Sequence, residues 1–444
     1  MNQNVRTRRN FIQSTTLGGA IGSTVPAFLA NTMGALQAEA AEKGSQARAG
    51  KDSTILVVLQ MAGGNDGLNT LIPFANDHYH RARRRLNLGR SDLLKIDDEV
   101  AFHATMSGFK ELYDDGELGI VQGVGYPNPN RSHFRSTEIW QTASDSNKFE
   151  KHGWIGRYFD HACKGADPTV GINVGRQTPQ AFASQDPLGV SVQNPATYRF
   201  VDPIRGSEQE MMAADKSFRA LNQPDEDDGA LELVSGDSIG GIAGKTMLEG
   251  SPLDFLERTA LDAQVSSDEI LKISQKARNL VDYPQSALSN SLRMVSRLIA
   301  GGLSPRVFYV SQGGYDTHVN QAQTHERLLR ELSGGLKAFV SDLKAQGNFE
   351  RVMVMTFSEF GRRVQENASG GTDHGAGSHL FTIGKKINAG LIGNYPSLNP
   401  KDLIRGDLRH SVDFRSVYAA VLDQWLRTDS SAVLGQKFAK IKLV

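Results

Sequence analysis

The sequence is poor in cysteine, in net charge and in long apolar runs, and each shortage closes off a class of protein. Cys163 is the only cysteine in 444 residues, so no disulfide can close within the chain and a cysteine-built zinc site is excluded. Charge of neither sign is in excess: 49 Lys and Arg face 49 Asp and Glu. The first forty residues hold three arginines and one glutamate, so the rest of the chain is two units negative. That balance excludes a nucleic-acid binder and a polybasic membrane patch. No run is long and apolar enough to cross the ~30 Å of a bilayer core, so no stable membrane span is expected. With 39% hydrophobic and 22% charged residues, neither a coiled coil nor a disordered chain fits. The length asks for one large or two coupled domains.

The first forty residues read as an address. Thr7-Arg8-Arg9-Asn10-Phe11-Ile12-Gln13 sets paired arginines before an apolar residue. A mildly apolar, Gly- and Ala-rich stretch follows over 17–30, and Ala38-Glu39-Ala40 offers small residues for cleavage. This is the twin-arginine pattern, and it predicts engagement of the twin-arginine translocase and a periplasmic or extracellular location. Residues 41–52 form a small polar linker, and 53–444 are expected to form a single α/β domain. A variable insert near 203–250 is marked by Asp225-Glu226-Asp227-Asp228 and many Gly and Ser residues.

Within 53–444 the pattern alternates. Residues 53–61 (STILVVLQM) are nearly all apolar and β-branched at the centre, as expected of a strand buried on both faces. Further strands are predicted at 118–124, 170–174, 190–201, 306–311, 352–356 and 380–383. Helices are predicted near 131–142, within 251–300 with a break at Pro284, at 320–345 and at 414–426. Strands alternating with helices imply a mostly parallel central sheet with helices on both faces. In such sheets sites form outside the carboxyl ends of the strands.

The polar clusters fall at those ends. Gly63-Gly64-Asn65-Asp66-Gly67-Leu68-Asn69 follows the first strand, and Asn130-Arg131-Ser132-His133-Phe134-Arg135-Ser136 follows the second. Gly314-Tyr315-Asp316-Thr317-His318 follows 306–311, with His325 further on. Ser358-Glu359-Phe360-Gly361-Arg362-Arg363 follows 352–356, then Asp373-His374-Gly375 and His379. Asp, Glu and His are the oxygen and nitrogen ligands of divalent ions, and two such ions can clamp an in-line displacement at phosphorus or sulfur. The metal-site candidates are therefore Asp66, Asp316, His318, Glu359, Asp373, His374 and His379, with His325 in reserve. The ion would be zinc, manganese, magnesium or calcium. Asp66 is equally good turn chemistry in Asn-Asp-Gly, and Ser132 could simply cap a helix.

Five motifs, Gly-Gly-Asn-Asp-Gly-Leu-Asn, Asn-Pro-Asn-Arg-Ser-His-Phe-Arg-Ser, Gly-Tyr-Asp-Thr-His-Val-Asn-Gln, Thr-Phe-Ser-Glu-Phe-Gly-Arg-Arg and Gly-Gly-Thr-Asp-His-Gly, occur in this order behind the paired arginines. Together they resemble a large bacterial family of unknown function that is placed with the alkaline phosphatase and sulfatase fold. The resemblance implies an alkaline phosphatase/sulfatase-like α/β fold and metal-dependent hydrolysis of a phosphate or sulfate ester. The substrate would be a small anionic ester or a polysaccharide. It also implies that Asp66 holds one metal and that Asp316 with His318 or His325 holds the other. Ser132 takes the place of the nucleophile at a helix start, and Arg135 or Arg362 would steady the anion. The chain departs from the superfamily at Glu359-Phe360, where Asp-His stands in those enzymes. Asp373-His374, or His374 and His379, would then replace the missing ligands. The same departure fits a secreted binding or assembly protein that keeps the fold without catalysis.

Overall fold

The computed structural model describes residues 54–185, 188–195, 269–303 and 305–444. The twin-arginine segment, the linker and the 203–250 insert lie outside the described residues, as does the second half, 196–201, of the predicted strand at 190–201.

β1 (Ile55–Met61) is followed by a small antiparallel sheet of β2 (Leu71–Ile72), β3 (Leu93–Lys95) and β4 (Ala101–His103), with α1 (Asp77–Ala82) after its first strand. α2 (Ser107–Asp114) leads into β5 (Leu118–Gly125). Next come α3 (His133–Thr142), α4 (Trp154–Ala162), β6 (Gly171–Val174) and β7 (Val190–Ser191). The chain continues through α5 (Ala287–Ala300), β8 (Val307–Gln312), α6 (Gln321–Ala345), β9 (Val352–Phe357), β10 (Ser378–Ile383) and β11 (Gly390–Ile392). It closes with β12 (Val412–Asp413), α7 (Phe414–Ala420) and α8 (Ser430–Leu434).

Among the described residues nine strands form the central sheet, in the order β11-β5-β10-β9-β1-β8-β6-β7, with β12 alongside β5. All pairings are parallel except those of β10, which runs against both β9 and β5. β1 sits in the middle, and all seven of its residues are buried. Its side chains alternate between two cores, Ile55, Val57, Leu59 and Met61 on one face and Leu56 and Val58 on the other. That is why its sequence is almost continuously apolar. α2, α5 and α6 cover the first face, and α3, α4 and α7 the second. The fold is thus the α/β arrangement expected, a mostly parallel sheet with helices on both faces. Among the described residues no helix is long and apolar enough to cross a membrane.

The predicted closing helix at 414–426 is α-helical only through Ala420 and then widens to a π turn over Val421–Trp425. The wider turn accompanies a tie back to the first strand, since the Trp425 indole N–H donates to the Ile55 carbonyl at 3.0 Å. β10 decides where the site lies. Because it starts beside the end of β5, with Ser378 opposite Val124, the long segment 358–377 after β9 never leaves the rim where β1, β5, β8 and β9 end.

α6 is the main cover of one face, burying Leu328, Leu329, Leu332, Leu336, Phe339, Val340 and Leu343 along one stripe. Leu332→Ala is expected to lower the unfolding free energy by about 2–5 kcal/mol, read as a shifted urea midpoint. Arg330→Ala, whose partner Glu326 lies on the exposed face, should change it by no more than about 0.5 kcal/mol.

Candidate cation site at the sheet rim

Four loops meet at the rim, and glycine lets the first lie close beneath the others. Gly63 and Gly64 have φ of 118° and 79°, conformations that favour glycine. A Cβ on Gly63 would stand 2.5 Å from the Asp316 amide nitrogen, and one on Gly64 would run into the Phe360 ring. The buried guanidinium of Arg362 then ties the loops together. It donates to the carbonyls of Gly63, Gly64 (2.7 Å), Tyr315 (2.8 Å) and Thr372 (2.9 Å), and to Asp316 Oδ1 at 2.8 Å.

Around Asp316 Oδ1 three imidazoles converge. His318 Nε2 and His374 Nε2 each lie 3.1 Å from it and 2.9 Å from one another. His133 Nε2 lies 3.4 Å from the same oxygen, buried and with no hydrogen-bond partner. His133, Asp316 and His374 have ligand atoms all within 4.8 Å of one another. The outer nitrogen of every ring faces an acceptor. His133 Nδ1 meets Glu359 Oε1 at 2.8 Å, His374 Nδ1 the Arg131 carbonyl at 2.7 Å, and His318 Nδ1 Asp373 Oδ1 at 3.1 Å. Each Nδ1 therefore carries the hydrogen, and a neutral ring turns a lone pair inward at Nε2.

The charges sharpen this. Burial would raise the Asp316 carboxyl, but Arg362, His374 and then His133 bring it down to about 2, so it is ionised. Burial holds His374 below its ordinary value despite its bonds to Arg131 and Asp316. The hydrogen bond that His133 donates to Glu359 lifts His133 above its ordinary value. A proton on Nε2 lets a ring donate to Asp316 Oδ1, the contact His374 makes at 3.1 Å, and a cation would take that proton's place between the nitrogen and the carboxylate. Imidazole donors backed by carboxylates and a carbonyl are how metal-bound histidines are oriented. Donors about 2.0–2.1 Å from one ion stand roughly 3 Å apart, and the three nitrogens stand 3.1–3.4 Å from Asp316 Oδ1. Imidazole nitrogens beside a carboxylate suit zinc or manganese. They fit poorly the oxygen-only shells of calcium and magnesium.

The other predicted residues lie outside this first ring. Glu359 and Asp373 stand one hydrogen bond behind, holding His133 and His318. Glu359 is buried and also accepts from the Gly63 amide at 2.8 Å. Asp66 does not join the donors. It caps the short turn at Leu68 and forms a fully buried ion pair with Arg83, while Gln321 donates to its free side. Burial would raise its carboxyl, but Arg83, and to a lesser degree His325 and Gln321, keep it low. His325 is buried against Asn65 at 2.9 Å. His379, on β10, packs on the Tyr395 ring with both ring nitrogens unpartnered.

Ser132 stands just before α3, exposed and making no capping bond. Arg135 is turned to other work: it pairs with Glu138 and donates to the carbonyls of Asp145, Ser146 and Lys148. Neither Arg135 nor the buried Arg362 is free to hold a substrate anion. His133 was missed by sequence reasoning, although it sits inside a motif read for its serine. Its only signal was its place directly after Ser132 at a strand's carboxyl end.

The fold and rim thus define an α/β protein with a candidate mononuclear cation site at the carboxyl edge of its sheet. Residues 242–437 match the family model described as Protein of unknown function (DUF1501), in agreement with the resemblance carried by the motifs there. A search of the curated proteins finds no match. Solved structures with some likeness include Ps i-CgsB in complex with k-i-k-neocarrahexaose, 11% identical over 87% of this chain and 73% of that one, with a TM-score of 0.36. The PsFucS1 sulfatase from Pseudoalteromonas sp. is 9% identical over 78% and 65%, with a TM-score of 0.31. The C-terminal periplasmic domain of EcEptC from Escherichia coli, in complex with Zn, is 8% identical over 77% and 75%, with a TM-score of 0.29.

His325 and His379 make stability depend on acid. Burial pushes their folded values down to about 4 and about 3, against about 6.5 when unfolded. Below about pH 6.5 the unfolded chain takes up the protons first, so stability is full above that pH and lost as pH falls towards 4 and then 3. Urea midpoints should drop on acidification from about pH 7 to about pH 4.5, and the drop should be shallower in His379→Leu.

Proposed function

We propose that the protein is a metal-dependent hydrolase of a phosphate or sulfate ester, exported by the twin-arginine route to the periplasm or beyond. The observation that carries the hydrolase reading is the convergence of three Nε2 atoms on Asp316 Oδ1, each ring held by an acceptor at Nδ1. The export reading rests on Thr7 to Gln13 and the mildly apolar stretch behind them.

A divalent ion held there would act as a Lewis acid towards an ester oxygen and acidify bound water. Asp316, His133, His318 and His374 would hold it. Glu359, the Arg131 carbonyl and Asp373 would fix the three rings. Ser132 is the candidate nucleophile, with an exposed hydroxyl beside His133 at the start of α3. In that route Ser132 Oγ loses its proton to solvent and bonds to phosphorus or sulfur. The ester oxygen leaves and is protonated from water, and a second water then releases the serine. Phe360 favours a second reading, a binding or assembly protein that keeps the fold. Its ring packs 4.9 Å from His133 and 4.6 Å from His374, forming a wall with no ligand atom. The described residues bring together one donor set, where a two-ion clamp asks for two.

Protein purified without a histidine tag should carry about one zinc or manganese per chain, and an Asp316→Ala, His318→Ala double variant should carry none. Glu359→Gln should keep the fold and weaken metal affinity by about 10–100-fold, as loss of a ligand's outer partner does. Absence of divalent metal from the wild type would overturn the cation site. Metal without turnover across phosphate and sulfate monoesters would leave the binding protein. Ser132→Ala retaining full turnover would pass the attack to water.

A further inference from the structure

The cation site opens on a cleft of about 470 Å³ lined by His133, Asp316 and Glu359 at one end and by Phe134, Glu138 and Gln141 along α3. Phe134 is 91% exposed although it directly follows a candidate ligand in the first turn of a helix. The core makes no use of its ring, so folding supplies no reason for a phenyl group there. Gln60 and Gln141, both more than nine-tenths buried, also line the cleft. Gln141 Nε2 donates to the Tyr309 hydroxyl at 3.1 Å, and that hydroxyl donates to Gln60 Oε1 at 2.7 Å. This sets both amides and leaves the Gln60 N–H groups and the Gln141 carbonyl for a ligand.

Charge restricts what that ligand is. Among the described residues no lysine or arginine lines the cleft. The nearby cations are engaged, Arg131 with Asp407 and Arg135 with Glu138. Beyond the cation site a second anionic group would meet no counter-charge and would face Glu138.

We infer that the cleft binds an uncharged, flat-faced part of the substrate, a pyranose or aryl ring laid on Phe134 with its polar edge towards Gln60 and Gln141. The substrate then carries its only anionic group at the ester. This rests on the hydrolase reading for where the ester sits. An aromatic side chain offers its face to the apolar face of a ring of either kind, and adjacent amides suit hydroxyl or ether oxygens.

The test is calorimetric binding to the full chain loaded with zinc or manganese. The probes are phenyl phosphate and phenyl sulfate for the aryl arm, glucose 6-phosphate and glucose 6-sulfate for the pyranose arm, inorganic phosphate and sulfate, and dextran sulfate as a polyanion. At least one ring arm should bind more tightly than the inorganic ions. Phe134→Ala should weaken that arm about tenfold or more, with bound metal and inorganic-ion affinity unchanged, and Phe134→Trp should restore it. The arm that responds names the ring. The inference is overturned if no ring ester outbinds the inorganic ions, if Phe134→Ala binds every ring ester as the wild type does, or if dextran sulfate binds best. Turnover followed in parallel separates the two readings. Phe134-dependent binding with no turnover removes the hydrolase alone, and turnover indifferent to Phe134→Ala removes this inference alone.

Discussion

The buried guanidinium of Arg362 is the interaction on which the rim depends. A charge so placed is tolerable only when its donors are satisfied. Arg362 satisfies them by reaching backbone carbonyls of the loops after β1, β8 and β9 at once, together with the Asp316 carboxylate. Each loop thereby loses its freedom to move independently. Glycine at 63 and 64 is the corollary, because the first loop must pass under the guanidinium with its carbonyls turned up and no side chain in the way.

Beneath that layer lies a second ion pair with a different task. Asp66 and Arg83 are both fully buried, and Arg83 also donates to Asn69 Oδ1 at 2.9 Å and to the Val364 carbonyl at 3.1 Å. Gln321, at the start of α6, donates to Asp66 and accepts from Thr317 and Thr372. The lower pair thus props the loops whose upper surface carries Asp316, His318 and His374. The structure is polar on two levels, a closed one that sets the scaffold and an open one that carries the candidate site. Asp316 is half-exposed and Asp66 is not, and that difference in access separates a candidate ligand from a strut.

The imidazoles are pre-set by groups far away in sequence. Glu359 follows β9 but aims the ring of His133, which follows β5. The Arg131 carbonyl aims His374 across a still longer interval. Removing an outer acceptor would free the ring to flip or change tautomer, so the ligand geometry is a property of the packed rim rather than of any one loop.

Much of this was legible in the sequence. The apolar run of β1 could only be a strand covered on both sides, the 3.6-residue stripe of α6 could only be a helix on a core, and the polar motifs after strands marked the rim where the candidate site lies. Periodicity and turn chemistry are local, so local sequence carries them. Asp316, His318 and His374 were readable as candidates for the same reason. The roles were not readable, because they depend on who stands opposite. Nothing near Asp66 announces that Arg83 will neutralise it, nothing near Arg135 that three carbonyls will claim it, and nothing near His133 that Glu359 will turn its Nε2 towards Asp316. A carboxylate or an imidazole takes its function from the charge and the dielectric around it, and those are set only when strands hundreds of residues apart are brought side by side.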